Sequence, residues 1–354
     1  MNAVDPRTPL QIVVTSDAGE IDIDALVALS DNAWRRNYDG KVRVVYDADY
    51  YEWLLGGSDW FAALALTGDG KPVGFIVSLL RTLNCGGERF PAAYTTAWAV
   101  DPAYRRTGVS LRLWQANRET IRERGYFGVA AAHGGYSGTR AGVVFREPAE
   151  RRGVATVLQS GAIWSRALTG RAPPPAQHAP MGMRRLCFVD GPYEIEDQDA
   201  PVDRATFEQL VASNARLAFA PSQNFAQIYF NSELTRSGTM WLEPTRGMRC
   251  AVGFSIFMLA LDEAEIGLVG RIQFFLSFGC DDERKEIALE AMSGFLHRAG
   301  CSSVSLVDQH QIAHATLERC GFVRTPDEVT FSLWSREPLA APFDDLSPCS
   351  LDWL

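Results

Sequence analysis

Residues 94–133 read YTTAWAVDPAYRRTGVSLRLWQANRETIRERGYFGVAAAH. Tyr94 to Val100 is rich in β-branched and aromatic residues, which predicts a strand. Asp101-Pro102 stops it, because proline cannot donate to a ladder. After Arg105-Arg106-Thr107-Gly108-Val109-Ser110, residues Leu111, Leu113, Trp114, Asn117 and Ile121 mark a helix apolar on one side, ended by Gly125. Tyr126 to Ala132 predicts a second apolar strand. The loop between the first strand and the helix is the informative part. A helix N-terminus presents N–H groups without intrahelical partners and a partial positive charge, so it attracts anions. Gly108 lets an anion approach the backbone with no side chain in the way. Arg105, Arg106 and Arg112 add positive charge, and no acid stands between Asp101 and Glu119. The bland alternative is a helix start with solvated arginines.

In this setting Arg105-x-x-Gly108-x-Ser110 resembles the pyrophosphate loop of the GNAT superfamily, the acyl-CoA-dependent N-acyltransferases. The family signature is Gln/Arg-x-x-Gly-x-Gly/Ala after the fourth strand. Ser110 departs from its last position but is small enough to keep the turn. Val100-Asp101-Pro102-x-Tyr104-Arg105 is also similar to the residues that lead into this loop in the family. The resemblance implies an α/β (α+β) fold: a mixed, mostly antiparallel sheet flanked by helices, with a splayed parallel strand pair at the cofactor. It implies acetyl-CoA as co-substrate, held by Arg105, Arg106, Thr107, Gly108, Val109 and Ser110. The pantetheine would pair along Trp98, Ala99 and Val100.

Composition is consistent with such an enzyme and excludes other classes. A chain of 354 residues with 47% hydrophobic and 22% charged residues suits two soluble domains. No run of about 18–20 apolar residues is present to span a bilayer, and the first residues lack the basic start and apolar core of a signal peptide. The expectation is a cytoplasmic protein without a membrane partner. The seven cysteines are scattered, never Cys-x-x-Cys, which argues for reduced thiols and against a zinc site. The five histidines form no ligand set; His310 and His314 are four apart with no third ligand in view, so no metal is expected. A net charge of −9 disfavours nucleic acid as a partner and is compatible with a cationic amine.

Along the chain, Gln11–Thr15 predicts a strand, Ile23–Trp34 and Asp47–Leu55 two helices, and Trp60–Leu66 with Val73–Leu83 a hairpin about Gly68-Asp69-Gly70. After His133, a short helix is expected over 139–151, strand character over Gly153–Leu168, and a strand Met183–Val189 that would complete the first domain. Gly191–Asp203 reads as a linker. The second half then repeats the first: helices Arg204–Leu217 and Asn224–Leu234, strands Gly238–Leu242, Cys250–Leu261 and Ile266–Phe278, and a long helix Glu283–Ala299. Strand Ser303–Asp308, a short helix Ala313–Arg319 and strand Glu328–Trp334 close it. Ser30-Asp-Asn-Ala-Trp-Arg resembles Ala212-Ser-Asn-Ala-Arg, Arg152-Gly153-Val154 resembles Cys320-Gly321-Phe322, and Ile163-Trp-Ser-Arg166 resembles Leu333-Trp-Ser-Arg336. The last two pairs lie roughly 170 residues apart, about one domain length, which favours an internal repeat. The expected domains are residues 1–190, binding acyl-CoA, and 191–340, a degenerate copy, followed by a tail over 341–354.

The copy is degenerate because its loop reads Phe278-Gly279-Cys280-Asp281-Asp282-Glu283. Acids there cap a helix but repel a pyrophosphate. Acyl transfer to an amine needs a base, an oxyanion donor and an acid for the leaving thiolate. His133, at the end of the strand after the loop helix, suits the base, its ordinary pKa of about 6.5 allowing proton removal through a water. The family's usual acid, a tyrosine five residues before the Phe of a closing Gly-Phe, is replaced by Ala149 in the first half and Leu317 in the second. Tyr136 is the substitute. Glu88, Asp101, Glu147 and the carboxylate of Leu354 are secondary candidates, and Trp34, Tyr38, Tyr50, Tyr51 and Trp53 would wall the acceptor side. The sequence thus predicts an N-acetyltransferase for a small amine-bearing metabolite, acting as monomer or homodimer. A CoA-thioester-binding protein without turnover is the alternative from another class. Transfer to oxygen or sulfur, or thioester cleavage, is a third reading on the same scaffold.

Overall fold

The computed structural model describes residues 9–37, 42–56, 59–133, 154–170, 183–188, 199–220, 236–245, 248–261, 265–335 and 349–351. The first half begins with β1 (Gln11–Thr15), α1 (Ile23–Asn37), β2 (Val42–Val45) and α2 (Ala48–Leu55). Asp47 caps α2 by accepting from the Tyr50 N–H at 3.0 Å, and the helix buries Tyr50, Tyr51, Trp53, Leu54 and Leu55. Strands β3 (Trp60–Leu66), β4 (Pro72–Cys85) and β5 (Glu88–Val100) form an antiparallel meander. β3 shows little alternation because both its faces are covered: Trp60, Ala62 and Leu64 join one core, Phe61, Ala63 and Ala65 two others. α3 (Val109–Glu123) then crosses back, and β6 (Phe127–His133) runs parallel to β5.

The second half follows a similar order, with the strand β9 added. β8 (Met183–Phe188), β9 (Asp199–Val202), α4 (Arg204–Asn214) and β10 (Leu217–Ala220) lead into a second meander. Its strands are β11 (Ser237–Thr245), β12 (Met248–Leu261) and β13 (Glu265–Phe278), followed by α5 (Asp282–Arg298) and β14 (Cys301–Val307), parallel to β13. α6 (His314–Arg319), β15 (Val323–Ser335) and β16 (Cys349–Ser350) complete the described elements.

All described strands belong to one sheet, whose main path is β1-β3-β4-β5-β6-β15-β7-β14-β13-β12-β11-β8-β9, with β7 spanning Val154–Ala167, and with β2, β10 and β16 off this path, β16 pairing with β10. The halves are interleaved. β15 of the second half pairs with β6 of the first, and β7 of the first pairs with β14 of the second. A second exchange is reciprocal: β10 pairs with residues 82–85 of β4, while β2 pairs with residues 258–261 of β12. The main apolar cluster accordingly draws on both halves, including Tyr51, Tyr94, Phe219, Phe274 and Leu351.

Several sequence expectations need correction. The strand Met183–Val189, expected to complete the first domain, is Met183–Phe188 and pairs antiparallel with β11 of the second half, the place β1 holds against β3. The segment read as a linker contains β9, parallel to β8. The helix expected over 204–217 ends at Asn214, whose side-chain amide bonds back to the Leu210 carbonyl at 2.8 Å, and Leu217 already belongs to a strand. Helices expected over 139–151 and 224–234 lie outside the described residues.

Candidate active site

The β5–β6 ladder runs only from Ala92↔Phe127 to Thr95↔Ala130. Beyond it the register of β5 against β4 slips by one residue, Ser78 facing Thr95 and Val77 facing Ala97, so Thr96 forms a bulge. β5 continues along β4 to Val100, while β6 stays paired with β15, its other neighbour, as far as His133 opposite Val329. A wedge therefore opens between two parallel strands, with Ala97, Trp98, Ala99 and Val100 on one side and Ala131, Ala132 and His133 on the other. Small residues dominate both edges. At its apex Ser78 Oγ donates to Asn117 Oδ1 (2.9 Å), and Asn117 Nδ2 donates to the Thr95 hydroxyl (3.3 Å). Asn117 is fully buried in the middle of α3. Beside it is a shallow recess lined by Thr95, Asn117, Arg118, Ala130, Ser332 and Trp334 among others. The Arg118 guanidinium lies 3.9 Å from the centre of the Trp334 ring, so a residue of the second half helps build this recess.

At the mouth of the wedge α3 begins without a side-chain cap and without an acid in its first turn. Gly108 is its N-cap with φ 84°, and Arg106 has φ 72°, so the loop turns through two left-handed residues. The first intrahelical bond is Arg112 N–H to the Gly108 carbonyl, at 3.0 Å. The N–H groups of Val109, Ser110 and Leu111 thus lead the helix. Thr107 Oγ1 donates to the Tyr104 carbonyl (2.7 Å) and shapes the turn. Arg105 donates to the Ala33 carbonyl of α1 (3.0 Å) and Arg112 to the Leu10 carbonyl (2.7 Å), which pins neighbouring segments to the loop. Arg106 is exposed. The donor set of helix N-terminus, glycine and three arginines is chemically suited to a pyrophosphate.

The second half has the same wedge and fills it. The β13–β14 ladder ends at Ile272↔Leu306, and Gln273 forms the bulge. By register Phe274 stands where Ala97 does, Leu276 where Ala99 does, and Val307 and Asp308 where Ala131 and Ala132 do. The Phe274 ring lies across Gly253, where any Cβ would meet it at 2.2 Å. The Phe275 N–H donates to Gln311 Oε1 (3.1 Å) and the Ser277 N–H to Asn214 Oδ1 (2.7 Å). Trp98 and Val100 are the counterparts of these two donors, and alternation along a strand turns their N–H groups into the first wedge. At the mouth, Asp281 caps α5 through the Arg284 N–H (3.1 Å), with Asp282 and Glu283 in the first turn.

Residues 16–135 match the family described as acetyltransferase (GNAT) domain. These residues belong to the GNAT superfamily. The match covers the first wedge, its loop and α3. No curated protein matches the chain by sequence. Among solved structures, the chain is similar to N-myristoyltransferase of Saccharomyces cerevisiae with bound myristoyl-CoA, at 13% identity and a TM-score of 0.68, covering 100% of this chain and 91% of that one. A second structure of the yeast enzyme gives 12% identity and a TM-score of 0.70 over 98% of this chain and 85% of that one. At such identities the likeness is one of fold, and it runs along the whole chain.

Of the residues singled out from sequence, Trp98, Ala99, Val100 and Arg105 to Ser110 gather around one wedge and its mouth. Trp98 stacks on Trp114 of α3, ring centres 5.8 Å apart, and Val109 is buried. His133 ends β6 at the wedge, with only its backbone described, and Tyr136 lies outside the described residues. Tyr50, Tyr51 and Trp53 pack in the core between the halves, Trp53 Nε1 donating to Ser237 Oγ at 2.7 Å. Burial raises the Tyr50 and Tyr51 hydroxyls above their ordinary range. Sequence reading missed the apex bonds of Asn117, whose signal was a polar residue on the apolar stripe of Leu113 and Ile121. Trp334 had no such signal. Among the described residues no group of three or more His, Cys, Asp or Glu could hold a metal, and no helix is long and apolar enough to cross a membrane.

Proposed function

We propose that the N-terminal half binds an acyl-CoA and transfers its acyl group, taken here as acetyl, to the amine of a small metabolite. The observation that carries this reading is the inequality of the two wedges. One is edged by alanines and opens on an uncapped helix start; the other holds Phe274, Gln311 and Asn214 and opens on Asp281. In this reading Arg105, Arg106, Thr107, Gly108, Val109 and Ser110 hold the pyrophosphate, and the N–H groups of Trp98 and Val100, with Ala99 between them, align the pantetheine arm. Acetyl-CoA supplies the activated carbonyl carbon. His133, through a water, takes the proton the amine sheds as its C–N bond forms, and Tyr136 returns a proton to the sulfur as the C–S bond breaks. The yeast enzyme of this fold carries myristoyl-CoA in both structures, so acyl length belongs in the test. The protein would work in the cytoplasm as monomer or homodimer, without nucleic acid.

Thiol release from acetyl-CoA and from myristoyl-CoA across a panel of small amines tests the proposal. The expected result is release with acetyl-CoA and at least one amine, reduced at least tenfold in His133→Ala with acetyl-CoA binding intact. Retained binding with no release for any amine would support a binding protein without turnover. That second reading draws on the missing tyrosine: Ala149 occupies the position that the family's pattern gives its acid in the first half.

A further inference from the structure

Cys250 and Cys280 bring their sulfurs within 3.5 Å of each other as free thiols. Cys250 is fully buried on β12, where its backbone faces Ser277 of β13. Cys280 is half-buried in the loop between β13 and α5, one residue before the helix cap Asp281. Its thiol also approaches the Arg249 and Phe278 carbonyls, both at 3.6 Å, which hold it over the end of β12. The other described thiols, Cys85, Cys301 and Cys320, are buried.

We infer that Cys250 and Cys280 are a reversible thiol–disulfide pair, oxidised by a peroxide, that staples β12 to the start of α5. A disulfide bond of about 2.05 Å requires the sulfurs to close by about 1.5 Å. Gly279, at φ 67°, gives the loop beside Cys280 a hinge for that movement. Exposure sets the order of events. Cys280 meets the oxidant first: its thiolate attacks one peroxide oxygen, the S–O bond forms, the O–O bond breaks, and the departing hydroxide takes a proton to become water. Cys250 then attacks the Cys280 sulfur, forming the S–S bond as the S–O bond breaks and a second water leaves. Two thiols have lost two electrons and two protons, and the peroxide has been reduced to two waters. Burial holds the Cys250 thiol protonated, above the ordinary thiol range, with Lys285 working in the opposite direction. Cys250 is therefore the shielded partner that reacts only after Cys280 has changed. The staple lies in the C-terminal half, at the loop that stands where Arg105–Gly108 stand in the first.

The test is peptide mapping of the full-length reduced protein after hydrogen peroxide treatment and alkylation. The expected product is a cross-linked peptide pair containing Cys250 and Cys280, reopened by dithiothreitol and absent from Cys280→Ser. In Cys250→Ser, Cys280 should instead advance to sulfinic acid. Wild-type protein in which Cys280 reaches sulfinic acid while Cys250 is still alkylated after unfolding would overturn the proposal. So would both thiols surviving peroxide, and the wild-type map does not depend on any variant folding.

Discussion

Gly74 and Asp47 each do work that their residue type alone does not announce. A Cβ on Gly74 would lie 2.8 Å from Leu113 Cδ1 and 3.2 Å from Val100 and Val109, so β4 has no side chain where α3 presses on it. Gly74→Val should cost about 1–3 kcal/mol by overpacking, and it should weaken acyl-CoA binding because α3 carries the loop. Urea unfolding and calorimetry check the two effects separately. Asp47 caps α2 and also accepts both terminal nitrogens of Arg236, at 2.6 and 2.5 Å. Asp47→Ala should lose about 1 kcal/mol for the cap alone. In a double-mutant cycle with Arg236→Ala, a coupling of about 0.5 kcal/mol or more should appear, since both side chains share one contact between the halves. Additive losses would mean the ion pair adds nothing.

Among the elements, the central pairing decides how the chain can be divided. β15 lies between β6 and β7, and β7 between β15 and β14, so neither half owns a complete sheet. Residues 1–170 expressed alone should be insoluble, because β6 would expose an open edge and β7 would lose both partners. Co-expression with residues 183–354 should recover a soluble complex; a folded, monomeric 1–170 fragment would contradict this. The repeat itself was legible, since Ile163-Trp-Ser-Arg166 lies within β7 and Leu333-Trp-Ser335 within β15. Their exchange was not. Strand character follows from local composition, whereas the choice of partner depends on contacts more than a hundred residues apart. Leu217–Ala220 escaped for another reason: four residues directly after a helix give too short a pattern to separate from it. The loop at Arg105–Ser110 was readable because glycine and arginine at a helix start have a local physical meaning.

For the whole molecule, burial of thiols sets an alkaline limit. Burial pushes the Cys301 thiol up to about 11 and the Cys320 thiol up to about 12. In the unfolded chain both would ionise near about 8.5. Below that pH both states keep the proton and stability is unaffected. Above it the unfolded state binds fewer protons, so stability falls as pH rises toward the folded values. Melting temperature should therefore decline between pH 9 and about pH 11, and less steeply in Cys320→Ala; equal slopes would contradict the assignment.

The same asymmetry of scale governs function: two copies of one wedge, joined in a single sheet, of which only one is edged by small residues and opens on an uncapped helix. Calorimetric titration of acetyl-CoA into the wild type and into Gly108→Trp measures this directly. Open space surrounds the Gly108 Cβ position, so the indole would cover the N–H groups that lead α3. The account predicts one site per chain, abolished in the variant. Two sites, or one that survives Gly108→Trp, would contradict it.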